Sequence, residues 1–270
     1  MKSFKDTLKR ILPEDALALA RNCRDGFKRL PEDLDALTDP WRRDVIKKLP
    51  ALHNLYKGKR CFVIGNGPSL RNTGMRKLKN EYTFGMNRIY LMFPDLGFET
   101  SFFVSINDLV IEQSAADIQG LKMPKFLSWR SHRWLTPEDN LFFLHTTYTG
   151  PRFTRDIRGR LWEGATVTYV ALQVAYYLGF SEVILIGVDH SFTTKGAPNT
   201  TIVSQGDDPN HFHPGYFGKG FRWQLPDLDT SELAYNMAKH AYEKDERRVL
   251  DATVGGKLTV FPKADYNSLF

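Results

Sequence analysis

Residues 60–70 read Arg-Cys-Phe-Val-Ile-Gly-Asn-Gly-Pro-Ser-Leu. Four apolar side chains in a row, Cys61 to Ile64, suit a strand buried on both faces. Gly65 and Gly67 then turn the chain tightly, and Pro68 suits the first turn of a helix. A strand passing through glycines into a helix opens a doubly wound sheet, where ligands bind beyond the carboxyl ends of the strands. Without a Cβ at those glycines the backbone can approach a phosphate, and Ser69 with its neighbouring N–H groups can donate to it. The motif lacks both the Gly-Lys-Ser/Thr of a P-loop and the third glycine of the dinucleotide fingerprint.

Towards the C-terminus, short runs rich in Phe, Val and Ile at 82–86, 101–106, 125–129 and 141–144 predict further strands. Residues 166–178 predict the clearest helix. Its Val167, Val170, Ala171, Val174, Tyr177 and Leu178 share one face, and Gly179 stops it. A strand at 182–188, a helix at 231–244 and a strand at 248–252 continue the alternation. The pattern implies a Rossmann-like α/β fold over residues 58–270, a parallel sheet with helices on both faces. Residues 1–57 read instead as a basic helical extension, broken at Pro13, Pro31, Pro40 and Pro50. Residues 190–228 hold the longest aperiodic stretch, the mark of a lid or binding loop.

The chain of 270 residues is 42% hydrophobic and 25% charged, a balance that excludes a disordered polymer. No apolar run approaches the roughly 20 residues of a spanning helix. The first residues lack a secretory pattern. Cys23 and Cys61 give neither a disulfide framework nor a metal site, so the reducing cytoplasm is the expected compartment. Net charge is +6, and residues 1–60 carry all of it, with 15 basic side chains against 9 acidic. A neutral body argues against a nucleic-acid partner. Phe4, Leu8, Ile11 and Leu12 fall on one helical face, with Lys2, Lys5, Lys9 and Arg10 elsewhere. That basic amphipathic helix either docks on its own domain or makes a peripheral contact with the inner face of the membrane.

Two predicted strands end in asparagine, at Asn87 and Asn107, on the edge where the Gly65 loop belongs. An amide offers a donor and an acceptor together, which suits the edge of a base or sugar. Asp108 suits a metal, a substrate hydroxyl or a helix N-cap. Gly164 and Thr166 open the long helix, with Thr166 as its cap and a cradle for an anion. Gly187, Asp189 and Ser191 follow the strand at 182–188 at the same sheet edge. His211 and His213 sit two apart in the loop without the partners of a zinc site, so no metal is assigned. A loop histidine beside a nucleotide is a good general base. Tyr216 and Lys219 are the expected supports of a departing phosphate.

Four of these stretches together resemble a known bacterial superfamily: residues 62–70, 86–90, 164–166 and 178–189. One branch is the 6-hydroxymethylpterin diphosphokinase-like domain, also the core of motility-associated flagellin glycosyltransferases. The other is the bacterial sialyltransferases that use CMP-sialic acid. The resemblance covers roughly residues 58–260 and leaves the basic extension aside. The sialyltransferase branch implies transfer of a nonulosonic acid or related sugar from a CMP donor to a saccharide or protein hydroxyl, with no cofactor required. It implies Asn66, Gly67, Ser69, Asn87 and Asn107 for the nucleotide, and Gly164 and Thr166 for the sugar or phosphate. It implies His213 as the base, with His211 as its rival because the loop spacing differs. The helix opens Gly-Ala-Thr where the sialyltransferases have Thr-Ser-Gly. The diphosphokinase branch implies ATP, a pterin and Mg²⁺, with Asp108 and Asp189 as metal candidates. A third reading is a non-catalytic nucleotide-binding protein of a surface-polysaccharide pathway. For the N-terminal helix, docking on its own domain predicts equal liposome flotation by the full chain and a chain starting at residue 50. Flotation by the full chain alone would establish the membrane contact.

Overall fold

The structure, a computed structural model, describes residues 14–270; the helix expected at residues 1–12 lies outside the described residues. The strands in chain order are β1 (Arg60–Ile64), β2 (Tyr82–Met86), β3 (Phe102–Ser105), β4 (Lys125–Ser128) and β5 (Leu141–Thr147). They continue as β6 (Arg160–Trp162), β7 (Glu182–Ile186), β8 (Thr201–Val203), β9 (Arg222–Gln224) and β10 (Arg248–Asp251). Eight form one sheet in the order β10-β7-β1-β2-β3-β4-β5-β6, with every neighbouring pair parallel. All seven expected strands are present. The eighth, β6, has only three residues, too few to show a periodicity. So do β8 and β9, which pair as an antiparallel hairpin inside the long loop.

Five helices matter to the site: α1 (Glu14–Thr38), α2 (Pro40–Lys48), α3 (Asp108–Gln113), α4 (Val167–Leu178) and α5 (Leu228–Lys244). Helix α4 packs on β1, β2 and β3 and lies beside α5, which also covers β10. Eleven of its twelve residues are buried, so it is a core element rather than an amphipathic surface helix. The chain order makes β1 the pivot. The sheet grows from β1 through β2 to β6 on one side, and β7 and β10 are added on the other. That reversal creates a crevice at the carboxyl ends of β1 and β7.

The expected break at Pro31 does not occur, and α1 runs unbroken through it. An interior proline removes one helical hydrogen bond and costs about 3 kcal/mol. Tertiary anchors beyond Pro31 offset that cost. Asp33 meets His145 Nε2 at 2.7 Å and pairs with Arg160, while Asp35 accepts from Trp129 Nε1 at 2.7 Å. Trp41 of α2 packs edge-on against Phe143, with ring centroids 4.7 Å apart. Arg42 is buried and donates to the Ala36 and Arg158 carbonyls; burial pushes its pKa down to about 10. Ala36, Val45 and Leu49 thereby join the same core as the sheet. No helix among the described residues is long and apolar enough to cross a membrane.

Burial holds the His145 imidazole below its ordinary pKa, against the pull of Asp33. The unfolded chain therefore binds this proton more readily, and stability is lost as pH falls through the unfolded value of about 6.5. The melting temperature should drop between about pH 7 and about pH 5, and less steeply in His145→Gln. Parallel curves for the two proteins would contradict this.

Candidate active site

Because the strands of the sheet run parallel, the loops after β1, β2, β3, β5, β6 and β7 meet at one rim and line a cleft of about 250 Å³. Its floor is the meeting of two turns. The Gly65 N–H donates to Ile186 O at 2.7 Å, and the Gly67 N–H to Gly187 O at 2.9 Å. A Cβ on Gly65 would stand 2.5 Å from the Gly187 carbonyl carbon, so only glycine lets the turns touch.

The glycine loop already holds an anion, and it belongs to the protein. Ser69 donates its N–H to Asp189 Oδ1 at 3.1 Å and its hydroxyl to Oδ2 at 2.6 Å. A Cβ on Gly67 would lie 2.5 Å from Asp189 Cγ, so this glycine makes room for the carboxylate. The turn that follows, Pro68–Asn72, is a single short 3₁₀ element. The sequence reading of Ser69 and its amide as phosphate donors is thus corrected: both donors are taken, and Ser69 does not line the cleft.

The three asparagines do gather on the cleft wall. Asn66 donates Nδ2 to Met86 O at 3.2 Å, and its buried Oδ1 has no partner. Asn87 adopts a left-handed φ of 52° and accepts from Ser105 through Oδ1 at 2.9 Å. Its Nδ2 has no partner among the described residues. Asn107 caps α3, accepting from the Leu109 and Val110 N–H groups, and donates to Gln224. The cap is therefore Asn107. Asp108 is turned instead to Arg130, 3.0 Å away, and does not line the cleft.

The long loop folds over the rim and separates its two histidines. His211 lines the cleft, with Nδ1 2.7 Å from Asp208 Oδ2 and its ring stacked on Tyr216 at 4.1 Å. Asp208 is buried and also accepts from the Asn210 and Phe217 N–H groups, which fixes its carboxylate. His211 Nε2 takes no partner among the described residues. His213 is exposed, accepts from the Gly215 N–H through Nδ1 at 3.0 Å, and is not a lining residue. Tyr216 is fully buried beneath His211, and burial raises its pKa; it carries the imidazole rather than facing the cleft. Lys219 is exposed and off the cleft. Arg71 and Arg88 hold this loop by its carbonyls, Arg71 on His211 and Phe212, Arg88 on Gly215 and Tyr216. Neither the Asp208 brace nor these arginines came from the sequence reading, although Asp208 stands three residues before His211.

The opposite wall belongs to β6, α4 and α5. Thr166 caps α4, accepting from the Thr168 N–H, and its hydroxyl lies 3.3 Å from Tyr235 OH. Gly164, at φ 55°, lies behind the wall, where a Cβ would meet Ala234 and Tyr169. Glu163 lines the cleft, buried, 2.8 Å from Arg130 Nη2. Burial works against the Arg130 charge, but Glu163 and Asp108 outweigh it and raise its pKa. Glu163 in turn raises the pKa of Tyr148, assisted by burial. Gly187, Asp189, His190 and Ser191 also line the cleft. Among the described residues the cleft presents three carboxylates, Glu163, Asp189 and Asp227, two histidines, and no lysine or arginine.

Fold and cleft together define a doubly wound α/β protein with a ligand-sized cleft at its topological switch point. The chain belongs to the 6-hydroxymethylpterin diphosphokinase MptE-like family, whose model matches residues 42–195. No curated protein sequence matches it. Among solved structures it is similar to a MAf glycosyltransferase from Magnetospirillum magneticum AMB-1, with TM-score 0.49 and 13% identity over 84% of this chain. This chain spans 39% of that one. Gly65→Ala tests the floor of the cleft. Its Cβ meets backbone that cannot rotate away, so a loss of about 2–3 kcal/mol and roughly 4–12 °C in Tm is expected. An unchanged Tm would show that the turns can separate.

Proposed function

We propose that this chain transfers a sugar from a CMP-activated donor to a saccharide or protein hydroxyl, the sugar being a nonulosonic acid or a relative. The observation that carries the reading is the Asp208–His211 pair on the cleft wall. Asp208 accepts a hydrogen bond from Nδ1–H, which leaves Nε2 as the nitrogen that can receive a proton from an acceptor hydroxyl. The base is accordingly assigned to His211, the member of the histidine pair that lines the cleft. The walls favour a donor of low charge. With three carboxylates and no lysine or arginine among the lining residues, the two charges of a CMP-activated nonulosonic acid, one on the phosphodiester and one on the sugar carboxylate, are repelled less than the roughly four of ATP. Asn87 Nδ2, unengaged among the described residues, offers a donor that suits a pyrimidine edge.

Membership of the MptE-like family supports a second reading, pyrophosphoryl transfer from ATP to a pterin hydroxyl. That chemistry calls for carboxylates able to hold Mg²⁺ beside the phosphates. The two candidates do not fit. Asp108 is paired with Arg130, and both oxygens of Asp189 are taken by Ser69. The non-catalytic reading shares the cleft but gives the His211 brace no task.

His211→Ala should lower turnover about 10²–10⁴-fold with CMP binding nearly intact, and His213→Ala should change it by less than about threefold. Transfer should persist in EDTA. Turnover that requires ATP, a pterin and Mg²⁺ would establish the second reading instead, and binding without any turnover would establish the third.

A further inference from the structure

We propose that His190 is the acid of this site, the group that protonates the departing phosphate of the donor. The assignment rests on the transfer reaction proposed above and names the partner of His211 in it. Charge grows on the phosphate as the glycosidic bond breaks, and a cation or proton must meet it. Three supports expected from the sequence lie elsewhere: Tyr216 is buried, Lys219 is off the cleft, and Ser69 is spent on Asp189. No lysine or arginine lines the cleft among the described residues. Its remaining side chains able to carry a positive charge are His211 and His190.

His190 is built into the wall. It follows β7 with a left-handed φ of 54°, a conformation uncommon outside glycine and found at functional sites. Its side chain is 8% exposed, and Nε2 lies 2.9 Å from Glu232 Oε1 on α5. Glu232 accepts a hydrogen bond from Nε2, which leaves Nδ1, without a partner among the described residues, as the nitrogen through which the proton is delivered. The ring meets Tyr235 edge-on at 6.2 Å, and Tyr235 OH reaches Thr166 at the start of α4. There the Val167 N–H, also on the cleft, has no partner among the described residues. A helix start with a free N–H favours an anion, which puts the phosphate on the His190 side of the cleft.

The step then balances. The acceptor oxygen bonds to the anomeric carbon and gives its proton to His211. The bond from that carbon to the phosphate oxygen breaks, its electron pair stays on the oxygen, and His190 supplies that oxygen with a proton.

The test measures two reactions of the full chain, with CMP-sialic acid as the donor probe. One is transfer to an acceptor, the other hydrolysis of the donor to CMP by water. Both break the same bond. His190→Gln should lower both by a similar factor, about 10²–10⁴, with the donor KM within about threefold. Glu232→Gln should lower both less, by about tenfold, and serves in its place if His190→Gln fails to fold. Native rates in the folded His190 variant overturn the assignment. So does a loss confined to transfer, which would put His190 on the acceptor. Absence of turnover by the native chain with any CMP-activated sugar overturns the reaction itself, and the role of His190 with it.

Discussion

The contact on which the rest depends is backbone against backbone, where Gly65 and Gly187 leave adjacent parallel strands and touch. A side chain at Gly65 would force the turns apart, and with them the hydrogen bond from the Gly67 N–H to Gly187 O. The same closeness brings Asp189 onto the donors of Ser69, which pins the start of the second loop to the first. Asn66 O then accepts from the Phe212 N–H at 2.9 Å, so the long loop is seated on this floor one residue from His211. One short approach between two strands thus places His211.

A second constraint is where the cations go. Arg71 and Arg88 are occupied with loop carbonyls, and Arg130 with Glu163, Asp108 and Thr146. None of the three lines the cleft, and of them only Arg130 is buried. Burying a guanidinium is costly unless charge and hydrogen bonds surround it, and removing one partner of such a pair costs about 3–5 kcal/mol. Arg71 and Arg88 therefore hold the long loop by its carbonyls, and Arg130 is held between Glu163 and Asp108. The acidic cleft follows from the same arrangement: among the described residues its lining carboxylates face no lining lysine or arginine.

Most of the sheet was legible because strands buried on both faces must be apolar along their whole length. That makes 60–64, 82–86 and 182–186 readable without any partner in view. Strand β6 and the hairpin β8-β9 were not, since three residues carry no period and their pairing comes from elsewhere in the chain. The run of α1 through Pro31 was misread for a related reason: a local penalty was offset by contacts with β5 and β6 more than a hundred residues away. In the cleft, the gathering of Asn66, Asn87 and Asn107 followed from their places at strand ends. The roles of Ser69, His213, Tyr216 and Asp108 did not.

The amino-acid sequence by itself determined the α/β class, the strands that carry the cleft and the set of loops that reach it. Those depend on apolar runs and glycines, whose effect is local. Tertiary structure alone decided which polar groups remain free. Whether Ser69 meets a phosphate or a carboxylate depends on Asp189, 120 positions further on. Which histidine faces the cleft depends on how Asp208 and Tyr216 grip its ring. A donor satisfied by a distant residue looks, in one dimension, the same as a donor awaiting a ligand.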